Sequence, residues 1–319
     1  MKSFQEIYTE LQDQTGDDSS AQLTIFKRWI NDTMHSMLGN HPWKFLEFTT
    51  DITTVADTGS YDLPANVRKI ISVVALDANS KVDQNPAPIE DPLFYEGLLR
   101  RKASSSDITQ FFYLEGSNTL KIWPDFSTAG RTLRVRARKS VVDMTRANYT
   151  TGTITSITNA LKAVIGSGSS WLSQAPLGEQ WIRFDAITGD LRWYRVASLD
   201  TDTTLTLDSP YVGVSIAAAT EGYTLGEMPV VPEAYQTALF YRPMALYYMK
   251  MEDTTMAKMY WNLYDGGYEL GLVRRPAGVV GQMIKEQFGM LDAAYFPPQG
   301  NGVPLSPEFL AKDTTATLG

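Results

Sequence analysis

The sequence predicts an α+β protein: an antiparallel helical bundle, made of an N-terminal hairpin and two C-terminal helices, carrying a small β-sheet region and an inserted all-β barrel or sandwich. Three observations lead there. Apolar residues recur every three or four positions only near the start of the chain and again from 231 to 270. Between 45 and 142 the period falls to two. Residues 150–225 hold short Thr-, Ile-, Val- and aromatic-rich runs separated by Gly-Ser, Thr-Gly-Asp and Asp-Thr-Asp turns.

Phe4, Ile7, Tyr8 and Leu11 mark the first helix. After the polar break at Thr15-Gly16-Asp17-Asp18, Ser19-Ser20-Ala21-Gln22 has capping-box spacing and opens a second. Its stripe is Leu23, Phe26, Ile30, Thr33 and Met37, widened by Trp29 and Met34, and Gly39-Asn40 and His41-Pro42 end it. From Phe45 to Val55 the Thr- and aromatic-rich alternation is that of a strand. Asp57-Thr58-Gly59-Ser60 turns the chain, Tyr61-Asp62-Leu63-Pro64 closes that edge, and 67–76 is another β-branched run. Asp91-Pro92 puts an N-cap residue ahead of a first-turn proline and starts a short helix to Arg101. Further strands are predicted at 110–114, 120–123 and 132–142, then at 154–157, 163–165, 181–184, 193–196 and 204–207.

Helix resumes at Val231-Pro232-Glu233 and runs to about Met251, where Pro243 must bend or split it. Another follows through Met256, Met259, Tyr260, Leu263, Gly267 and Leu270. The glycines and prolines beyond Arg275-Pro276 read as an extended tail. Three parts result: a core of 1–149 with 226–275, an all-β insertion at 150–225, and a tail at 276–319. Alone, such a tail cannot bury enough apolar surface to offset its ordering entropy, so it is expected to be pinned against a neighbouring subunit.

With 319 residues, 43% of them apolar and 11% aromatic, the chain has room for two domains and is too hydrophobic for general disorder. The absence of cysteine removes disulfides, thiolate nucleophiles and Cys-containing metal sites. A net charge of −8 lacks the basic excess of sequence-reading nucleic-acid proteins. No apolar run reaches the roughly 18 residues of a membrane span, and the N-terminus has no signal-like apolar stretch, so folding in a cytoplasm without membrane contact is expected.

Little in the sequence suggests catalysis. His35, inside the second helix, and His41, in a loop, have no metal-ligand spacing. Gly166-Ser167-Gly168-Ser169-Ser170 lacks the lysine and following helix of a phosphate loop and reads as a hairpin or strand-linking turn. Glu47, Asp51, or Asp185 with Asp190 could supply a glycosidase-like carboxylate pair, but their spacing equally fits solvated strand faces and turns. Asp200-Thr201-Asp202 with Asp208 lacks the glycine and final glutamate of a Ca²⁺ loop and reads as a turn. No catalytic, cofactor-binding or metal-binding residue is assigned.

Charge is more informative locally. Between Asp91 and Ser140 nine basic residues stand against five acidic ones. In 132–138 strict alternation puts Leu133, Val135 and Ala137 on one sheet face and Arg134, Arg136 and Arg138 on the other. That second face is either a contact for an acidic partner or DNA, or an ordinary solvated strand face. Arg134, Arg136 and Arg138, with the aromatic residues Trp43, Tyr295 and Phe296, are the candidate interface residues.

The order of these parts resembles the head-to-tail adaptor proteins of tailed bacteriophages, including the tail-tubular and connector proteins of short-tailed phages. The residues that carry the resemblance are the helix 26–38, His41-Pro42-Trp43-Lys44-Phe45-Leu46, the strand at 49–56, the turn and strand at 59–70, Leu120-Lys121-Ile122-Trp123-Pro124, and the helix entered through Val231-Pro232-Glu233. Residues 166–171, 193–199 and 204–211 are similar to a small β module of many phage virion proteins, here an insertion. The resemblance implies a structural virion protein of the neck or tail, not an enzyme, made in the host cytoplasm. It would form a homo-oligomeric ring, typically of twelve copies, that joins the portal to the tail tube or nozzle and passes double-stranded DNA without sequence preference. Tail fibre proteins are among the implied neighbours. Twelve copies would bring together about −96 charges, and an acidic lumen would repel DNA and let it slide. Two other readings stay open: a tail-associated peptidoglycan hydrolase, and a fibre- or receptor-binding module carried by 150–225.

Overall fold

The computed structural model describes residues 1–39, 42–64, 67–77, 81–89, 91–99, 109–116, 118–174, 179–185, 190–217, 221–265 and 278–288. The chain is α+β and forms two compact units, Pro42–Val141 and a second made of Met1–His41 with Val142–Gly319.

In Pro42–Val141 the period-two pattern becomes two four-stranded sheets. The strands are β1 (Glu47–Thr53), β2 (Ser60–Asp62), β3 (Val67–Leu76), β4 (Val82–Gln84), β5 (Ala87–Pro88), β6 (Phe111–Glu115), β7 (Thr119–Trp123) and β8 (Thr132–Lys139). One sheet has the antiparallel order β1-β8-β3-β4; the other is β2-β7-β6-β5, with β5 parallel to β6. The alternation sorts side chains as expected: Leu133, Val135 and Ala137 of β8 are fully buried, and with Val73 and Ala75 of β3, Phe112 of β6, and Leu120 and Ile122 of β7 they make one core. β1 starts later than the sequence suggests, because a 3-10 turn at Lys44–Leu46 takes Phe45 and the buried Leu46 out of the strand. This unit also holds a helix, third in chain order, α3 (Pro92–Leu99), and Asp91 caps it as predicted, accepting from the Leu93 N–H at 2.9 Å.

The other unit begins with α1 (Phe4–Thr15) and α2 (Ser20–Gly39). Ser3 caps α1: its Oγ accepts from the Glu6 N–H at 3.2 Å while the Glu6 carboxylate accepts from the Ser3 N–H at 2.8 Å. At α2 the expected box closes on one side only. Ser19 Oγ accepts from the Gln22 N–H at 3.3 Å, but the Gln22 side chain turns away to accept from Lys250 Nζ at 2.9 Å. Phe4, Ile7, Tyr8 and Leu11 of α1, and Phe26, Ile30, Thr33 and Met37 of α2, are buried, as their spacing requires. Both helices pack against α4 (Ala238–Lys250), which in turn packs against α5 (Thr254–Asp265).

Two helical details differ from the sequence reading. The helix expected from Val231-Pro232-Glu233 starts only at Ala238, after a 3-10 turn at Glu233–Tyr235, so Pro243 falls in its second turn, buried as are Met244 and Tyr247, and does not split it. Packing there offsets the lost backbone bond. A further helix, α6 (Val279–Phe288), stands where the sequence suggested only extended tail. It packs on α5 and on the 3-10 turn, where the Tyr235 hydroxyl donates to the Glu286 carboxylate. The remainder of the predicted tail lies outside the described residues.

Between the helices run β9 (Thr153–Ile157), β10 (Ala163–Ser167), β11 (Glu179–Phe184), β12 (Trp193–Leu199), β13 (Thr204–Leu207) and β14 (Tyr223–Met228). They form one antiparallel sheet in the order β14-β11-β12-β13-β10-β9. Its edges meet: bridges Tyr149–Leu225, Ile154–Glu221 and Ile157–Ile216 join the β9 side to the chain leading into β14. The sheet curls round a core that includes Trp171, Phe184, Tyr211 and Tyr223. Strand β14 was not legible in the sequence. All six of its residues are buried, so no alternation marks it.

Candidate functional site

β8 lies between β1 and β3, and the register sets its arginines beside acids. Arg138 faces Glu47, Arg136 faces Thr49 and Arg134 faces Asp51 on β1, while Lys69 of β3 sits opposite Arg138 on the other side. Arg134 grips Asp51 with two parallel bonds, Nε to Oδ1 and Nη2 to Oδ2, both 2.8 Å. Glu47 is shared: Arg136 Nη2 reaches its Oε2 at 2.5 Å and Arg138 Nη2 its Oε1 at 3.1 Å. Arg138 is mostly covered, its side chain 17% exposed, whereas Arg136 is 56% exposed.

The pairing fixes the ionisation of the two acids. The hydrogen bonds from Arg134 hold the Asp51 carboxyl below the usual carboxylate range. Partial burial works to raise Glu47, but the hydrogen bonds from Arg136 and Arg138 outweigh it and its pKa is also lowered. Three guanidinium groups therefore share two carboxylates, with the exposed Lys69 across the strand, so this face is a lattice of mixed sign with a small positive surplus. A phosphate backbone needs a row of uncompensated cations, whereas such a lattice matches a protein surface with its own mixed charges.

The other sequence-derived candidates are distributed differently. Trp43 is fully buried and stacked on Phe45 at 5.7 Å and 27°, so its indole packs the interior and offers no surface. Tyr295 and Phe296 lie outside the described residues, as do His41, Arg100, Arg101 and Lys102. The carboxylates considered for glycoside chemistry are engaged. Glu47 and Asp51 serve the arginines, and their lowered pKa is the opposite of what a general acid requires. Asp185 accepts from Arg183 at 3.1 Å and from the Thr224 hydroxyl at 2.7 Å, and Asp190 accepts from the Tyr194 hydroxyl and the Arg192 N–H.

Asp200 closes the β12–β13 turn by accepting from the Ser198 and Thr206 hydroxyls at 2.7 and 2.8 Å. Among the described residues no cluster of three or more potential metal ligands occurs, and no helix is long and apolar enough to cross a membrane. Of the Gly/Ser run, Gly166 and Ser167 belong to β10 and only the residues after them leave the strand, where Ser169 Oγ donates to the Asp202 carbonyl at 2.7 Å. His35 pairs through Nε2 with Asp143 at 2.6 Å.

Several anchoring groups escaped the sequence reading. Glu6, besides capping α1, accepts from Arg183 of β11 at 2.9 Å, and that guanidinium lies 4.7 Å from the Trp193 ring centre. Buried Glu227 of β14 accepts from the backbone N–H groups of Thr145 and Arg146 at 2.6 and 2.8 Å. The signal that could have shown Glu6 was the Ser3-x-x-Glu6 spacing; nothing local marks Glu227.

Comparison with known proteins adds one finding to this geometry. The model of a family described as SU10 adaptor protein matches residues 2–165, from the start of α1 through the whole of Pro42–Val141 and into β10. No curated protein matches the chain.

Proposed function

The chain belongs to the SU10 adaptor protein family, and from that premise we propose that it is a structural adaptor of a bacteriophage virion, without catalytic activity. The observation that carries this reading is the extent of the match, which takes in both N-terminal helices and the entire two-sheet unit. We assign it to the neck or tail as a homo-oligomeric ring, of twelve copies, between the portal and the tail, with DNA passing through the channel. A bundle formed by α1, α2, α4 and α5 would give each subunit a stiff wedge, and heterologous contacts close such wedges into a ring. The Arg134, Arg136 and Arg138 face is the contact we assign between neighbouring proteins, because its mixed charges suit protein better than phosphate. Tyr295 and Phe296, in the C-terminal segment, would lace onto an adjacent subunit or the portal.

Electron microscopy and mass measurement of the purified protein, alone and with portal, test this. The expected particle is a ring of about 426 kDa, twelve times the 35.5 kDa chain, that binds portal end-on. A monomer at every concentration, with no complex formed with portal, would refute the ring. Peptidoglycan cleavage by the purified protein would refute the absence of catalysis.

A further inference from the structure

Residues 143–148 lie between β8, which ends at Lys139, and β9, which begins at Thr153, and they run without a strand partner. They belong to the unit made of Met1–His41 and Val142–Gly319, just past the point where the chain leaves Pro42–Val141. Polar side chains of three elements hold them there. Asn31 of α2 donates from Nδ2 to the Met144 carbonyl at 2.9 Å and accepts from the Met144 N–H at 3.0 Å, so one amide side chain takes the place of a bridge partner. Glu227 of β14 accepts from the Thr145 and Arg146 N–H groups through one carboxylate oxygen, and Gln5 of α1 accepts from the Asn148 N–H at 2.7 Å. His35, one turn along α2 from Asn31, pairs with Asp143.

Each of these bonds ends on a side chain, which separates the segment from the strands before and after it. Freeing a strand breaks a run of backbone bonds and strips its neighbour of partners as well. Freeing 143–148 undoes separate clasps, shifts no register and unwinds no helix. Its own side chains add little: Met144 is buried, but Asp143, Thr145, Arg146 and Ala147 are exposed. A single apolar anchor and backbone bonds close to solvent mark a segment that opens well below the cost of global unfolding.

One contact opposes release. Glu227 is 1% exposed, and opening the segment takes two N–H donors from a buried carboxylate, the most expensive bonds of the set to lose. The segment is thus loosely held along its length and caught at one point. We propose that residues 143–148 are a latched strap, with Glu227 as its catch and Asn31 as its clasp, which opens as one block while both units stay folded. Open, its six residues become a free tether of up to roughly 20 Å, on which Pro42–Val141 can turn without losing a strand or a helix. The inference does not depend on the adaptor reading, which its failure would leave intact.

Hydrogen exchange on the full chain, read by mass spectrometry, tests the strap, with trypsin cleavage after the exposed Arg146 as a second readout. In the unaltered protein the amides of Met144, Thr145, Arg146 and Asn148 should exchange together, roughly tenfold or more faster than those of β8 and β11. Asn31→Ala and, separately, Glu227→Gln should each raise strap exchange and cleavage after Arg146 by roughly another tenfold, with β8 and β11 unchanged. If Asn31→Ala does not fold, Gln5→Ala, which removes only the Asn148 bond, carries the same expectation in smaller measure. Strap amides that exchange in step with β8 and β11 would overturn the proposal, and so would variants that speed exchange throughout the unit, since that is what a merely structural contact does. The tether has its own test. The chain has no cysteine, so Val82→Cys and Val214→Cys take one spin label each, and excess unlabelled chain keeps labelled copies apart. Adding Asn31→Ala should broaden the distance distribution between the labels; an unchanged distribution would overturn the turning of Pro42–Val141.

Discussion

At Gly152 the backbone has φ +93°, and an added Cβ would lie 2.6 Å from the Ser167 carbonyl oxygen and 2.8 Å from the Ser169 nitrogen. Both neighbours are backbone and neither can step aside, so Gly152→Ala should destabilise by about 2 kcal/mol or more, read as a lower denaturation midpoint in urea. Leu191 presents the reverse case. Leu191→Gly should relieve roughly 1 kcal/mol of left-handed strain and raise the melting temperature by a few degrees; a fall would mean that the leucine side chain contributes packing. Tyr194, Tyr223 and Tyr235 each have a pKa pushed up to about 12, first by burial and, for Tyr194 and Tyr235, also by the carboxylates of Asp190 and Glu286 that accept their hydrogen bonds. These phenols stay protonated in the fold while the unfolded chain ionises near 10. Their contribution is therefore complete below about pH 10 and is lost between 10 and 12, and phenolate absorbance should rise for these three only together with unfolding.

Among elements, the β1–β8 pair makes the clearest prediction. Its ion pairs are exposed enough that Arg134→Gln or Asp51→Asn should leave the denaturation midpoint in urea nearly unchanged at neutral pH. Because the folded carboxyls of Glu47 and Asp51 are lowered, their stabilisation is present above the ordinary carboxylate pKa and disappears as the pH falls through the lowered folded values. Glu47→Gln with Asp51→Asn should accordingly flatten the acid side of a stability–pH curve; an unchanged curve would show that the pairs contribute nothing. The alternation of β8 was legible because one face is core, which is a local pattern. The acids it pairs with were not assignable, since they stand 83 to 91 residues earlier and only strand register brings them opposite. The same reasoning separates the other elements. Phe26, Ile30 and Met37 announced α2 by period, whereas β14 is buried on both faces and α6 is short and flanked by glycine. Pro243 does not split α4, because its local penalty is real but is met by the burial of the side chains round it.

For the molecule as a whole, the charge of −8 is unevenly divided: residues 42–141 hold thirteen basic and twelve acidic residues, and the remainder fifteen and twenty-four. The excess acidity thus belongs entirely to the unit that carries the six-stranded sheet, at −9, while residues 42–141 are net +1. If the proposed ring forms and that unit lines its channel, exchanging its exposed carboxylates for amides should slow DNA release from particles, and unchanged release would place the acidity elsewhere. One backbone detail bears on how such a chain can be assembled from parts. Tyr149, ahead of β9, and Leu225, within β14, exchange hydrogen bonds of 2.8 and 2.9 Å. The incoming chain and the outgoing strand thus run about 5 Å apart at this pair, so the segment is a cartridge with a single narrow doorway. Its loops can lengthen, shorten or be exchanged without stretching the host on either side, and hydrogen exchange should register it as a separately opening block.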